Sequence, residues 1–437
     1  MKHLFFGGVH PADRKELSAD CLPVAAPVPA QVVLPMSQHI GSPCTPLVKV
    51  GDTVKLGQKI GDGEGMCVPV HASVSGKVIA VEPRRHPNGT EVMSVVIEND
   101  FQDTCDELHL PHLDPGALTD EEIVSIIGEA GLVGMGGATF PTDIKALSAM
   151  GKVDVVIINA CECEPYITAD DVLMRTEPGQ VVEGLRLLCR VLKPERAVIA
   201  VEDNKKRAIA ILKDALAKEP QMELRVLPTR YPQGSEKQLI QAVTGREVPP
   251  GGLPASVGCA VFNTATAAAV YKAVYLGEPV IRRIVTVTGE GVKNPCNLLT
   301  RLGTPFSVLV EAAGGLTDDA WKVLNGGPMM GVAQADLEAP VIKGTNALLC
   351  LSQSQNGETA QRTACIRCGK CLEVCPMRLQ PLYMYRYEAV NDLKALERLN
   401  LADCMECGSC AYACPAKLPL VERFRAGKKA LKEGKKA

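Results

Sequence analysis

The chain has 437 residues, 46% of them hydrophobic, which calls for several packed cores and excludes an intrinsically disordered protein. A net charge of −3 gives no basic field for nucleic acid, and 4% aromatic residues leave few rings on which bases stack. Eighteen cysteines behind a start (Met1-Lys2-His3-Leu4-Phe5-Phe6) too short for a secretory leader point to reduced thiols, and no run of about 18 apolar residues is available to span a bilayer.

Residues 1–100 read as a β domain, with frequent prolines and short β-branched runs between turns. Val48–Val54 is predicted as a strand, a Gly51-Asp52 turn and a returning strand, and Ser73–Val81 repeats the pattern. Val50-Gly51-Asp52-Thr53-Val54, Gly57-Gln58-Lys59-Ile60 and Ser75-Gly76-Lys77-Val78 together resemble the barrel-sandwich hybrid of lipoyl and biotinyl carriers. Those carriers hold a modifiable lysine at a hairpin tip. The corresponding Asp62–Cys67 has none, so a scaffold without a swinging arm is expected. Residues 101–118 read as a linker, in which His109 and His112, like the earlier His86, are expected to be solvated for want of further ligands.

From Thr119 the pattern becomes α/β and runs to residue 278. Thr119-Asp120-Glu121-Glu122 has the form of a capping box. A glycine-rich loop (131–137), a helix starting near Pro141 and an apolar strand (153–158) follow. Helices at 181–192 and 205–218 then alternate with strands at 197–201 and 224–227, the order of a largely parallel sheet. Further helices are expected at 235–243 and 264–275. Val261–Leu276, the nearest approach to a membrane span, is interrupted by Asn263, Thr264, Thr266 and Lys272 and reads as a buried helix.

The glycines of the loop let backbone N–H groups approach a phosphate, the helix after Pro141 offers its positive end, and Lys145 adds charge. The strand ends at Asn159-Ala160-Cys161-Glu162-Cys163-Glu164-Pro165, polar groups at the carboxyl end of a buried strand, where α/β sheets bind ligands. Cys161 and Cys163 read as wall residues of that site, since no histidine or second cysteine pair accompanies them. Residues 279–350 read as a small α+β module with strands at Ile284–Gly289 and Phe306–Val310 and a glycine-rich stretch, Asn325–Gly331.

Cys365-x2-Cys368-x2-Cys371-x3-Cys375-Pro376 is repeated as Cys404-x2-Cys407-x2-Cys410-x3-Cys414-Pro415. Triplets with a fourth cysteine before proline are the ligand spacing of two [4Fe–4S] clusters, whereas zinc ribbons use two Cys-x2-Cys pairs. In paired-cluster ferredoxins the cysteine before proline serves the other cluster. One cluster is therefore expected on Cys365, Cys368, Cys371 and Cys414, the other on Cys375, Cys404, Cys407 and Cys410. Helical stretches near Tyr383–Val390 and Leu393–Leu399 make this region (360–420) α-helical, and residues 421–437 read as a frayed basic tail.

Residues 131–145 and 159–175 resemble the flavin-binding subunit of respiratory complex I, with further matches at Gly234-Ser235-Glu236 and Val261–Thr266. The resemblance implies a non-covalent FMN site lined by Gly134, Gly136, Gly137, Lys145, Asn159, Asn263 and Thr266. It also implies that Glu164 and Glu236 face NAD(H), with Phe140 beside it, and that Glu162 belongs to the same cofactor-binding element. Met135, Cys161, Cys163 and Ser235 stand where that family has Arg, Asp, Gly and Glu.

Nearly the whole chain is similar to the RnfC family of Rnf-complex proteins. The matches are Phe6-Gly7-Gly8-Val9-His10-Pro11, Gln38-His39-Ile40-Gly41-Ser42-Pro43-Cys44, the glycine loop with Phe140-Pro141-Thr142, Asn159-x2-Glu162-x-Glu164-Pro165, and the doubled cysteine runs. The similarity implies a multidomain α/β protein. Its parts would be an N-terminal β barrel-sandwich hybrid (1–100), an α/β flavin-binding domain (115–278), a soluble-ligand-binding β-grasp domain (279–350) and an α-helical di-cluster ferredoxin-like domain (360–420). It further implies a peripheral subunit at the cytoplasmic face of the membrane, linking ferredoxin and NAD+ to Na+ or H+ movement. Its partners would be membrane-spanning Rnf subunits and a ferredoxin-linked cluster subunit, with no role for nucleic acid. Two soluble relatives stay open as alternatives, a cobalamin reductase-like NADH-dependent flavin and Fe–S reductase and a proline reductase-associated carrier. The N-terminal position of the β hybrid favours RnfC over the first.

Overall fold

The computed structural model describes residues 4–105, 115–356 and 361–434. In the N-terminal part a long hairpin, Gly76–Arg85 with Glu91–Asn99, is flanked by Gln31–Pro35 and Thr53–Val54, all antiparallel. A second antiparallel sheet joins Thr45–Pro46, Lys59–Asp62 and Val70–His71. Val32, Leu34, Val54, Ile60, Val70, Val78, Val95 and Ile97 are buried in their common core, consistent with period-2 alternation. Val48–Val50 forms no strand, contrary to expectation. The Asp52 carboxylate accepts the Lys49 N–H at 3.0 Å and closes a side-chain turn, so only Thr53–Val54 pairs. His86 is buried in the hairpin with Nε2 3.1 Å from Ser37 O; His109 and His112 lie outside the described residues.

Thr119 caps α1 (Asp120–Glu129) through a complete capping box. α2 (Thr142–Ala149) follows the glycine-rich loop. α3 (Ala169–Thr176), α4 (Pro178–Leu192), α5 (Lys206–Ala215), α6 (Glu236–Thr244) and α7 (Thr264–Leu276) surround a parallel sheet. Its strand order is Met222–Leu227, Arg196–Glu202, Val155–Ala160, Cys259–Asn263. Val155–Ile158 and Ala197–Val201 are buried without interruption, as strands covered on both faces must be. Val261–Leu276 is therefore two elements. Cys259–Asn263 is an edge strand, and Asn263 starts α7 by accepting the N–H groups of Ala265 and Thr266.

Residues 282–352 build a mixed sheet. Arg282–Thr288 and Ala347–Ser352 run parallel at its centre, with antiparallel partners Cys296–Arg301 and Ala320–Asn325 outside them. Val24–Ala25 adds an edge strand from the N-terminal segment. Phe306–Val310, expected as a strand, lies in a helix, Phe306–Ala312. Phe306, Leu309, Val310 and Ala313 are the buried positions, a helical spacing that a five-residue apolar run does not disclose.

The cysteine-rich region is helical, with Met384, Leu396, Leu401, Leu420 and Phe424 in its core. The basic stretch is not a frayed tail as far as residue 434: Leu420–Gly434 is one helix. Its apolar side (Leu420, Phe424, Leu431) packs inward, while Arg425 and Lys428 pair with Glu406 at 2.9 and 2.8 Å. Among the described residues no helix is long and apolar enough to cross a membrane.

Candidate functional site

After Val155–Ala160 the chain adds two strands on one side and returns to add Cys259–Asn263 on the other, so the strand order reverses between Asn159 and Asn263, which are register partners. Ligands of open α/β sheets bind at the carboxyl end of such a switch point. The glycine-rich loop straps across it. Met135 N–H donates to Thr266 Oγ1 at 2.9 Å, and that hydroxyl donates to Val133 O at 3.1 Å. Gly134 N–H to Phe140 O (2.8 Å) and Thr139 N–H to Gly134 O (3.0 Å) close the loop, with Phe140 half-buried at its foot.

Gly136 lies against the Asn263 side chain. Gly137 adopts φ +114°, and a Cβ there would meet nothing within 4 Å, so the strap has an open outer face. Asn159 donates to Gly234 O at 2.6 Å and Asn263 to Asp170 at 2.7 Å, fixing the floor. At the rim Lys145 Nζ bonds Glu236 (2.8 Å) and Val261 O (3.0 Å). An open glycine strap, the start of the eight-residue α2, a lysine and two floor amides suit a flat ring system carrying a phosphate, so the residues fit FMN.

The turn after Ala160 is held from elsewhere. Lys15 Nζ donates to Glu164 O (2.9 Å) and to Ile167 O, and Lys205 Nζ to Glu162 O (3.4 Å). The Glu162 carboxylate accepts the Asp170 and Asp171 N–H groups at 2.6 and 3.3 Å, so it caps α3 and does not face the open side. Burial pushes its carboxyl up to about 8, while Lys15 and Lys205 oppose that shift. Glu164 sits where three parts of the molecule meet. It accepts the Met329 N–H from the glycine-rich 325–331 stretch at 3.2 Å and lies 3.5 Å from the Tyr231 hydroxyl. A Cβ on Gly327 would fall 2.2 Å from Glu164 Oε2, so glycine there admits the carboxylate. Burial pushes Glu164 up to about 7, against the Met329 N–H bond and Lys15. Cys161 is buried, and Cys163 accepts the Gly234 N–H at 3.3 Å; burial raises both thiols, which keeps them protonated walls. No sequence motif marks Lys15, Lys205, Asp170 or Tyr231 as parts of this site.

The eight cysteines of the doubled run fall into two cavities. Cys375, Cys404, Cys407 and Cys410 line one, with Met384, Met405 and Phe424. Cys365, Cys368, Cys371 and Cys414 line the other, with Ile366, Leu382 and Leu418. The backbone repeats with the sequence. Gly369 and Gly408 both adopt left-handed φ ahead of a short helix, as do Arg367 and Glu406 within the loops. N–H groups of Arg367 and Leu379 point at Cys365 and Cys375 sulfurs at 3.4 and 3.3 Å. Four thiols around an apolar cavity with amide donors to sulfur are the donor set of a [4Fe–4S] cluster.

The first of these cavities is joined to the flavin side. Tyr231 donates to Cys407 O at 2.7 Å, Gln238 to Pro376 O at 3.1 Å, and Gly8 N–H to Val374 O at 2.8 Å. Cys365 and Cys368, in the second, are exposed.

Comparison with known proteins matches residues 3–102 to the family described as the RnfC barrel sandwich hybrid domain and residues 127–272 to the Nuo51 FMN-binding domain. Residues 284–333 match the SLBB domain and 359–415 a 4Fe-4S dicluster domain. The chain is 48% identical to the C component of the Na(+)-translocating ferredoxin:NAD(+) oxidoreductase complex of Acetobacterium woodii, over 99% of this chain and 98% of that one. It is 43% identical to the C component of the proton-translocating ferredoxin:NAD(+) oxidoreductase complex of Clostridium ljungdahlii, over 91% and 88%. Against the corresponding component of the ion-translocating oxidoreductase complex of Citrobacter koseri identity is 44% over 97% of this chain, which spans only 60% of that longer relative. An air-oxidized NAD+-reducing [NiFe]-hydrogenase structure shares the fold over 74% of this chain and 67% of its own, with a TM-score of 0.52 at 18% identity.

Proposed function

The chain belongs to the RnfC family of ion-translocating ferredoxin:NAD+ oxidoreductase complexes, and on that premise we propose that it is the NAD-facing electron-transfer subunit of such a complex. FMN, when bound, exchanges hydride with NAD(H) and single electrons with iron–sulfur clusters. Gly134, Gly136 and Gly137 would cradle it, Asn159, Asn263 and Thr266 would hold the floor and strap in register, and Lys145 with Glu236 would frame the rim. Glu164 and Phe140 would border the nicotinamide, and Glu162 would act one step back by fixing α3. Cys375, Cys404, Cys407 and Cys410 would ligate the inner cluster; Cys365, Cys368, Cys371 and Cys414 would ligate the outer one.

The observation that carries this reading is the Tyr231 bond to Cys407 O at 2.7 Å, beside Glu164, because it seats one four-cysteine cavity against the flavin side. The exposed pair Cys365 and Cys368 then faces a partner, a ferredoxin-linked cluster subunit. With no spanning helix among the described residues, membrane-spanning subunits would carry the ion, and this chain would dock at the cytoplasmic face. Anaerobically purified protein should hold about eight iron and about one FMN, and NADH should bleach flavin before clusters. Zinc in place of that iron, or no flavin after FMN is supplied, would overturn the proposal.

A further inference from the structure

We propose that His39, Cys44 and Cys67 form a third metal site, of the zinc class, in the N-terminal β domain, and that it braces the glycine-rich loop. The Cys44 and Cys67 sulfurs are 3.4 Å apart, and His39 Nε2 lies 3.9 Å from the first and 3.7 Å from the second. A tetrahedral zinc with Zn–S of about 2.3 Å and Zn–N of about 2.0–2.1 Å separates sulfurs by roughly 3.8 Å and nitrogen from sulfur by roughly 3.6 Å. The triangle therefore needs shifts of only a few tenths of an ångström.

The donors come from two segments pressed together. Ser42 N–H donates to Met66 O at 3.0 Å, and Gly41, at φ +127°, passes so close that a Cβ would lie 2.0 Å from that oxygen. The imidazole is set as a ligand. Nδ1 lies 3.3 Å from Ile40 O and Nε2, the ring nitrogen near both sulfurs, accepts the Val68 N–H at 3.3 Å, so the ring proton belongs on Nδ1 and Nε2 carries the lone pair. A metal would displace that Val68 contact. Cys44 is buried and His39 nearly so, while Cys67 is only partly buried, so the triangle is nearest solvent at Cys67. Two thiols and one imidazole select zinc over hard cations.

The site is one residue from the loop. Ile40 N–H donates to Thr139 O at 3.1 Å, and Gln38 accepts the Lys343 N–H at 3.1 Å. Lys343 Nζ in turn holds Pro69 O (2.6 Å) and Gly131 O (2.7 Å), so both ends of the strap hang on segments that the metal would lock. The bracing half of the inference rests on the FMN reading; the metal half does not.

Full-length protein purified anaerobically with zinc in the medium should contain about one zinc beside about eight iron by elemental analysis. Zinc-edge absorption should show two sulfur neighbours and nitrogen. Cys67→Ser, at the partly buried ligand, and Cys44→Ser should lose the zinc and keep the iron. Should a variant fail to fold, competition of the wild type with a metallochromic chelator should release one equivalent without bleaching the clusters. Zinc retained in the Cys44→Ser, Cys67→Ser double variant, a wild type that refuses added Zn2+, or an alkylation-resistant Cys44–Cys67 disulfide would overturn the metal. FMN retained equally after zinc release would overturn the brace alone, and failure of wild type to take FMN under any metal content would instead sink the flavin reading.

Discussion

Glu162 and Glu164 stand two residues apart, and burial raises both carboxyls, yet they are held by different parts of the chain. Glu162 is fixed by two amides at the start of α3, whereas Glu164 takes the Met329 and Met330 amides and a tyrosine hydroxyl, with Lys15 nearby, and these do not offset its burial. Burial lifts Glu164 from an ordinary 4.5 to about 7, so between those values the native chain binds the proton that the unfolded chain releases. The stability this group contributes is complete below pH 4.5 and is lost as pH rises through about 7. Glu164→Gln keeps the neutral shape. Variant and parent should melt together near about pH 4, and the variant should gain on the parent by about pH 8. Thermal melts over that range read this directly, and parallel curves would show a carboxylate ionised throughout. Glu164 is legible in the sequence because its Glu-x-Glu-Pro element sits at a strand end. Its neighbours Tyr231 and Lys15 are not, since they reach this turn across 67 and 149 residues of chain and carry no local signature.

Elements are legible where their own residues decide them. Thr119 and Glu122 write the start of α1, and the unbroken apolar run at Val155 writes a strand buried on both faces. Where the deciding partner is distant, the reading fails. Phe306–Val310 becomes helix because Phe306, Leu309, Val310 and Ala313 share one buried core, and Leu420–Gly434 stays ordered because Phe424 finds a core and Lys428 finds Glu406. The packing of α4 on α7 has the same character: a Cβ on Gly184 would lie 1.8 Å from Ala267 O. Gly184→Val must push α7, with Asn263 at its head, away from α4. The expected cost is about 1–3 kcal/mol, seen as a lower denaturant midpoint, together with weaker FMN retention. An unchanged midpoint would show that the two helices separate freely.

At the scale of the molecule the doubled cysteine run is one device with two different faces. Its spacing told of two clusters, but not which lies inward; that depends on Tyr231, Gln238 and Gly8, all from other parts of the chain. The crossed grouping makes the order testable. Cys375 comes from the first run yet lines the cavity of the second, and Cys414 does the reverse. Cys375→Ala should therefore disrupt the inner cluster, leave about four iron on Cys365, Cys368, Cys371 and Cys414, and isolate them from the flavin. NADH would then bleach flavin while the remaining cluster stays oxidised, although dithionite still reduces it. Cys414→Ala should spare the inner cluster, so NADH bleaches flavin and one cluster, while transfer to an external acceptor fails. Iron analysis with electron paramagnetic resonance separates the two variants. If Cys375→Ala left NADH-reducible iron and Cys414→Ala did not, the electron path would enter at the exposed end and the inward placement of the second cavity would have no role in it.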